Sequence, residues 1–383
     1  MENTKGKNIA FVIGVFEGHF TSTVAIVKEL VDLGHNVTCF VFDKYTERIK
    51  KTGAKLKIYT FDQSDIYKTE SSAMCLTMTR SLDAILTEAL KNPEKYDYLV
   101  VDSLLDGNEM NKIFKAPVVV AIYTGMTAPL PPEILKAYNH EISQQMIPVN
   151  KKFNLNMRDY VIMHSSGDIQ YKLMLTSREF HLKGDFIDKS FYFIGPSPIE
   201  KRPKDESFSF KKDLNKKLIY ISLGTLFNSN LNFFKECIDA FGDSEEYEII
   251  MSVGKVIDVK TFENVPKNFK IYNYVPQLQV LEMADVFISH GGLNSVNERL
   301  ILNEKPIIII PQAGDQFVNA KAISDFGAGI SMFKDTINVK KLKDAVNSIL
   351  TDEEKYMKGV RKILQGFNEA RKERESVYKK IFV

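Results

Sequence analysis

Asp285-Val286-Phe287-Ile288-Ser289-His290-Gly291-Gly292-Leu293-Asn294-Ser295-Val296-Asn297-Glu298 is the stretch on which the fold turns. Its first five residues form a short apolar run of strand length, ended by a glycine pair. Residues 294–302 then carry helical spacing. A strand that passes through glycines straight into a helix predicts an α/β layer fold. It also predicts a backbone turn able to approach a ligand closely, aimed by the free N–H groups and partial positive charge of the helix start. That is a place for a diphosphate, with side-chain donors at His290, Asn294 and Ser295. Glu298 stands one turn further on the same face, where a carboxylate can bind ribose hydroxyls. The competing reading makes Ser295 and Glu298 a capping box.

The pattern repeats outward from this stretch. Residues 218–223, 248–253 and 306–311 read as strands, and 230–241 and 317–326 as helices. Toward the N-terminus, residues 9–16 form a continuous apolar run and 17–20 read as a loop. A helix capped by Thr21 or Ser22 then runs to Gly34, and 37–42 is the next strand. Further strands read at 98–101 and 118–123, with a helix between them. Continuously apolar strands joined by helices predict parallel sheets buried on both faces. The Pro- and Lys-rich stretch around 195–217 separates the two arrays. The division expected is 1–200, a linker at 201–217, 218–360, and a C-terminal helix over 361–383 packing back on the first domain. The stretch 127–152 is expected to shape an acceptor pocket.

Ligands of open α/β sheets sit beyond the carboxyl ends of the strands, so the residues there are the candidates. Ser222-Leu223-Gly224-Thr225 offers hydroxyls and a glycine to a phosphate. Pro311-Gln312-Ala313-Gly314-Asp315-Gln316 offers acceptors and donors suited to sugar hydroxyls. In the first array His19 follows one strand and Asp102 ends another, an arrangement in which the carboxylate would orient the imidazole. Asp106 is the rival partner.

Composition excludes several classes. The 383 residues carry 51 Lys and Arg against 49 Asp and Glu, a balance without the basic excess of nucleic-acid binders. The three cysteines, Cys39, Cys75 and Cys237, lack CxxC spacing, so no zinc site or disulfide frame is expected, and a cytoplasmic setting fits. No apolar run reaches the roughly 18–20 residues of a membrane span.

Together these pieces resemble the UDP-glycosyltransferase superfamily, most closely its bacterial macrolide-glycosyltransferase type. Tyr274-Val275-Pro276-Gln277-Leu278, the stretch 287–298, and Pro311 through Asp315-Gln316 to Asn319-Ala320 look like that family's donor signature in order and spacing. Ile221-Ser222-Leu223-Gly224-Thr225 and Gly18-His19-Phe20 add to the likeness. The resemblance implies a GT-B architecture, two doubly wound Rossmann-like domains facing a central cleft. It implies inverting transfer that needs no metal or other cofactor, with a UDP-sugar, UDP-glucose by resemblance, as co-substrate. Gln277 and the backbone near Val275 would meet the uracil, and Glu298 the ribose. Ser222, Thr225, His290, Gly292, Asn294 and Ser295 would surround the diphosphate, and Asp315 and Gln316 would meet the sugar. His19 would be the base and Asp102 its partner. The acceptor implied is a small, largely apolar molecule bearing a hydroxyl, such as a macrolide, a polyketide or a phenol. Thr21-Ser22 depart from the family's Asn-Pro, and Asn303 and Leu293 replace residues usual there.

The chemistry fits the residues. An imidazole with an ordinary pKa near 6.5 can take the acceptor proton at neutral pH, and a helix N-terminus can hold the charge that develops on the leaving UDP. The sequence has no Asp-x-Asp, the pattern by which many other glycosyltransferases hold a divalent ion. Three alternatives keep parts of this reading. Lys50, Lys51, Lys55 and Lys57 could lay the first domain on anionic lipid, making the acceptor a membrane lipid. A non-catalytic nucleotide-sugar binder would not need His19 and Asp102. An epimerase would share the architecture.

Overall fold

The structure is a computed structural model and describes residues 6–63, 70–125, 144–157, 169–181, 187–199, 204–226 and 228–383. The chain divides into two compact units, residues 1–198 with 367–383, and residues 199–366.

The first unit holds a seven-stranded sheet in the order β3-β2-β1-β4-β5-β6-β7, parallel throughout. The strands are β1 (Asn8–Val12), β2 (Asn36–Phe42), β3 (Lys55–Tyr59), β4 (Tyr98–Asp102), β5 (Val118–Tyr123), β6 (Tyr171–Met174) and β7 (Phe191–Phe193). Its helices include α1 (Glu17–Asp32), α2 (Thr46–Lys50), α3 (Glu70–Lys91) and α4 (Gly107–Phe114). Residues 9–12 of β1 are fully buried because helices cover both faces, which is why the sequence shows an unbroken apolar run there and no alternation. Of the expected acceptor-pocket stretch 127–152, residues up to 143 lie outside the described residues.

The second unit repeats the plan with six parallel strands in the order β10-β9-β8-β11-β12-β13. These are β8 (Lys217–Ser222), β9 (Tyr247–Ser252), β10 (Phe269–Tyr272), β11 (Val286–Ser289), β12 (Ile307–Ile309) and β13 (Gly329–Ser331). Helices α5 (Leu231–Phe241), α6 (Gln277–Met283), α7 (Leu293–Asn303), α8 (Gln316–Asp325) and α9 (Val339–Thr351) pack around them. The long α10 (Glu353–Ile381) begins in this unit and ends in the first. There Arg374 donates to the carbonyls of Ile194, Gly195 and Pro196 and to Glu29, whose carboxylate also accepts from Tyr378. The Lys-rich segment before β8 is tied to the second unit: Lys212 pairs with Asp285 at 2.6 Å, and the Asp213 N–H donates to Glu248.

Both sheets reverse direction of growth between their first and fourth strands, β1 beside β4 and β8 beside β11. A crevice opens at such a reversal because neighbouring crossovers run to opposite faces. Among the described residues, no helix is long and apolar enough to cross a membrane.

Candidate functional site

At the reversal in the first unit stand His19 and Asp102. The structure corrects the expected loop at 17–20. Those residues form the first turn of α1, which starts at Glu17 after an extended Phe16. Thr21 and Ser22 do not cap it. Their hydroxyls bond back one turn, to the Glu17 carboxylate and the Gly18 carbonyl. Sequence rules sought a polar cap, but this start has no side-chain cap and is fixed by the burial of Phe20, whose ring stacks on Tyr45 at 3.9 Å. The helical turn presents His19 with its side chain 25% exposed.

Asp102, the last residue of β4, is buried, and its Oδ2 lies 2.8 Å from His19 Nδ1. Its other oxygen accepts from the Leu104 N–H at 2.8 Å. A carboxylate held in this way draws the imidazole proton to Nδ1 and leaves the basic lone pair on Nε2. Thr124, just past β5, adds its hydroxyl 2.7 Å from the same Nδ1. Sequence reading did not single out Thr124. The available signal was a hydroxyl at the end of a third strand of the same sheet edge. The rival Asp106 is occupied elsewhere: it caps α4 by accepting from the Glu109 N–H, and its pKa is raised by burial first.

At the reversal in the second unit, β8 delivers Ser222 and β11 delivers His290. Ser222 is buried and its hydroxyl accepts from Gly224 N–H, while Thr225 is exposed beyond it. The His290 ring is enclosed by two glycines. A Cβ on Gly224, whose φ is +77°, or on Gly292 would stand 2.5 Å from ring atoms. Burial lowers the His290 pKa to about 4, against a hydrogen bond to Ser222 that raises it. At neutral pH the His290 ring is therefore neutral, with one of its two nitrogens carrying a proton. Gly292 is the N-cap of α7 and supplies no side-chain cap. Asn294 and Ser295 lie in that helix's first turn.

The capping-box reading of Ser295 and Glu298 is overturned, because the helix begins before Ser295 and Ser295 is already inside it. Glu298 instead accepts from Gln277 Nε2 at 2.6 Å, and Ser295 Oγ accepts from the same amide at 3.2 Å. Val275 is buried at the end of the segment leading to α6, and beside it Tyr274 is 65% exposed. An exposed aromatic at this point is a flat surface on which a base can stack. Sequence reading quoted Tyr274 without giving it that use.

Asp315 is the N-cap of α8 but makes no side-chain cap bond. Gln316 uses its side-chain carbonyl to accept from the Gln312 and Ala313 N–H groups, which shapes the turn and leaves its amide N–H₂ as the donor end. Asn319 links the two loops of this unit. It is fully buried and donates to the Gly291 carbonyl at 2.7 Å and toward Asp315 Oδ2 at 3.4 Å. The basic segment read as a lipid-facing surface is reduced by the structure. Lys57 is buried and bound to the Asn92 carbonyl and Glu94, and Lys50 pairs with Glu47.

The chain is similar to known proteins over most of its length. Residues 235–375 match the family described as the C-terminal domain of erythromycin biosynthesis protein CIII-like proteins. The chain is 30% identical over 349 residues to the NDP-glycosyltransferase YjiC of Bacillus subtilis, covering 88% of this chain and 87% of that one. It is 23% identical over 373 residues to the oleandomycin glycosyltransferase of Streptomyces antibioticus, covering 92% and 85%. Among solved structures it resembles the glycosyltransferase of kitacinnamycin, with a TM-score of 0.78 at 22% identity over 98% of this chain and 99% of that one. It also resembles the calicheamicin glycosyltransferase CalG4, with a TM-score of 0.71 at 20% identity over 98% of each. These two likenesses show the fold, the paired Rossmann-like α/β domains of the GT-B class.

Proposed function

This chain belongs to the UDP-glycosyltransferase superfamily, in its macrolide-glycosyltransferase type, and from that premise we propose that it moves a hexose, glucose first, from UDP to a hydroxyl of a small, largely apolar acceptor. The observation that carries the reading is the 2.8 Å contact of His19 Nδ1 with the buried Asp102 carboxylate. A binder of nucleotide sugars needs no oriented base.

In the proposed reaction, residues 1–200 hold the acceptor and 218–360 the donor. His19 Nε2 takes the proton of the acceptor hydroxyl as its oxygen attacks the anomeric carbon from the side opposite UDP. Asp102 stabilises the imidazolium that forms. The bond to the β-phosphate oxygen breaks and its electron pair leaves with UDP, so the anomeric configuration inverts. Ser222, Thr225, neutral His290 and the Gly292–Ser295 turn of α7 donate to the phosphates, and donors fixed in advance stabilise charge better than water that must reorganise. This donor set supports transfer without a divalent ion. Asp315 and Gln316 meet the sugar hydroxyls, Glu298 the ribose, and Val275 with Gln277 the uracil end.

The test is a panel of macrolide, polyketide and phenolic acceptors incubated with UDP-glucose, with and without EDTA, and read by mass spectrometry. Acceptors heavier by one hexosyl unit in both arms are expected. Sugar released only to water, or transfer that stops in EDTA and returns with magnesium, would defeat the corresponding part of the reading.

A further inference from the structure

Glu298, the carboxylate placed at the ribose, is oriented from outside its own helix. Its Oε2 accepts from Gln277 Nε2 at 2.6 Å. The other end of that carboxamide is held from the core, where the Tyr220 phenol donates to Gln277 Oε1 at 3.2 Å. Tyr220 lies on β8, is 1% exposed, and stacks on Phe287 with ring centroids 4.8 Å apart and planes 6° from parallel. Its ring cannot swing away without opening the core.

A carboxamide can turn either its N–H₂ or its oxygen toward a neighbour. Turned the wrong way, Gln277 would point an oxygen at a carboxylate. Tyr220 has a single proton, and it gives it to Gln277 Oε1. The bonds then run in one direction, Tyr220 to Gln277 to Glu298, and each donor polarises the next.

We propose that Tyr220 is a positioning residue for nucleotide recognition, fixing Gln277 so that its amide holds the Glu298 carboxylate in the orientation that accepts from ribose hydroxyls. This rests on the reading of Glu298 as the ribose carboxylate. The relay thereby sets a preference for a ribonucleotide over its 2′-deoxy counterpart, although Tyr220 itself touches no ligand.

The experiment is calorimetric titration of the full chain with UDP and with 2′-deoxy-UDP, for the unaltered protein, Tyr220→Phe, Gln277→Leu and Glu298→Ala. The unaltered protein should prefer UDP by about tenfold or more, the range of a hydroxyl bonded to a charged group. Tyr220→Phe keeps the ring stack and should weaken UDP by about 5–20-fold while changing 2′-deoxy-UDP by less than about twofold, so the preference collapses. A merely structural role would weaken both ligands alike. Gln277→Leu cuts the relay one link nearer Glu298 and should collapse the preference equally, which keeps the test alive if Tyr220→Phe does not fold. A preference lost in Glu298→Ala but kept in Tyr220→Phe, or in Gln277→Leu where Tyr220→Phe does not fold, overturns the proposal and leaves the ribose reading standing. An unaltered protein without preference, or a preference kept in Glu298→Ala, removes the ribose reading and the proposal with it.

Discussion

A methyl group on Gly14 would stand 2.5 Å from Oδ2 of Asp102, and 3.1 Å from the Cβ of His19. The turn after β1 therefore has to be bare for the base and its carboxylate to meet. Asp102 cannot yield easily, because it is buried and anchored to the Leu104 N–H. Gly14→Ala is expected to displace the pair and lower kcat/KM for alcohol acceptors by about tenfold or more, since sub-ångström misplacement of a base is costly. UDP affinity, measured by calorimetry, should stay within about twofold, because the residues proposed for the donor belong to the other unit. An unchanged rate would mean that the pair does not act.

His19→Ala should lower transfer to alkyl alcohols by about 10²–10⁴-fold, the usual value of general-base help. Asp102→Asn should fall in the same direction, because it removes the charge that favours the Nδ1–H tautomer. Acceptors with an acidic phenol or thiol bring their own ionised nucleophile and should partly escape both changes. Rates of the two acceptor types, compared in one assay, check this. Near-normal alcohol glycosylation by His19→Ala would take His19 out of the chemistry.

Glu298→Ala separates recognition from folding. With the capping box excluded, the side chain contributes nothing to helix termination, and alanine suits a helix interior. The melting temperature should move by no more than a few degrees, while UDP affinity falls about 10–100-fold on losing a charged hydrogen-bond acceptor. Intact affinity in a calorimetric titration would count against the ribose assignment.

His290 makes stability pH-dependent. In the unfolded chain an imidazole titrates near 6.5, whereas in the fold burial lowers its pKa to about 4. The unfolded state binds the proton more readily, so the stability linked to this group is complete above about pH 6.5 and is lost as pH falls toward 4. His290→Gln lacks the titration. The melting temperature of the unaltered protein, minus that of the variant, should drop by a few degrees between pH 7 and pH 4.5. A difference that stays constant across that window would show that the ring is not held neutral by burial.

The sequence by itself determined the strands and helices that surround the site. Unbroken apolar runs such as 9–12 and 286–288 belong to strands buried on both faces, and the glycine pair at 291–292 marks a strand-to-helix turn. These are local signals, carried by neighbours within a few positions. The same local rules failed where burial outweighed capping, so His19 was expected in a loop and stands in the first turn of α1, and Ser295 read as a cap and stands inside α7. What only the tertiary structure decided is which strand lies beside which. The parallel pairing of β1 with β4 brings together His19 and Asp102, 83 positions apart, and β5 adds Thr124, 105 positions from His19. The core ring of Tyr220 reaches Gln277 across 57 positions in the same non-local way. Crossover connections in a parallel sheet leave the choice of neighbour to packing of the whole layer, and no periodicity along the chain records that choice.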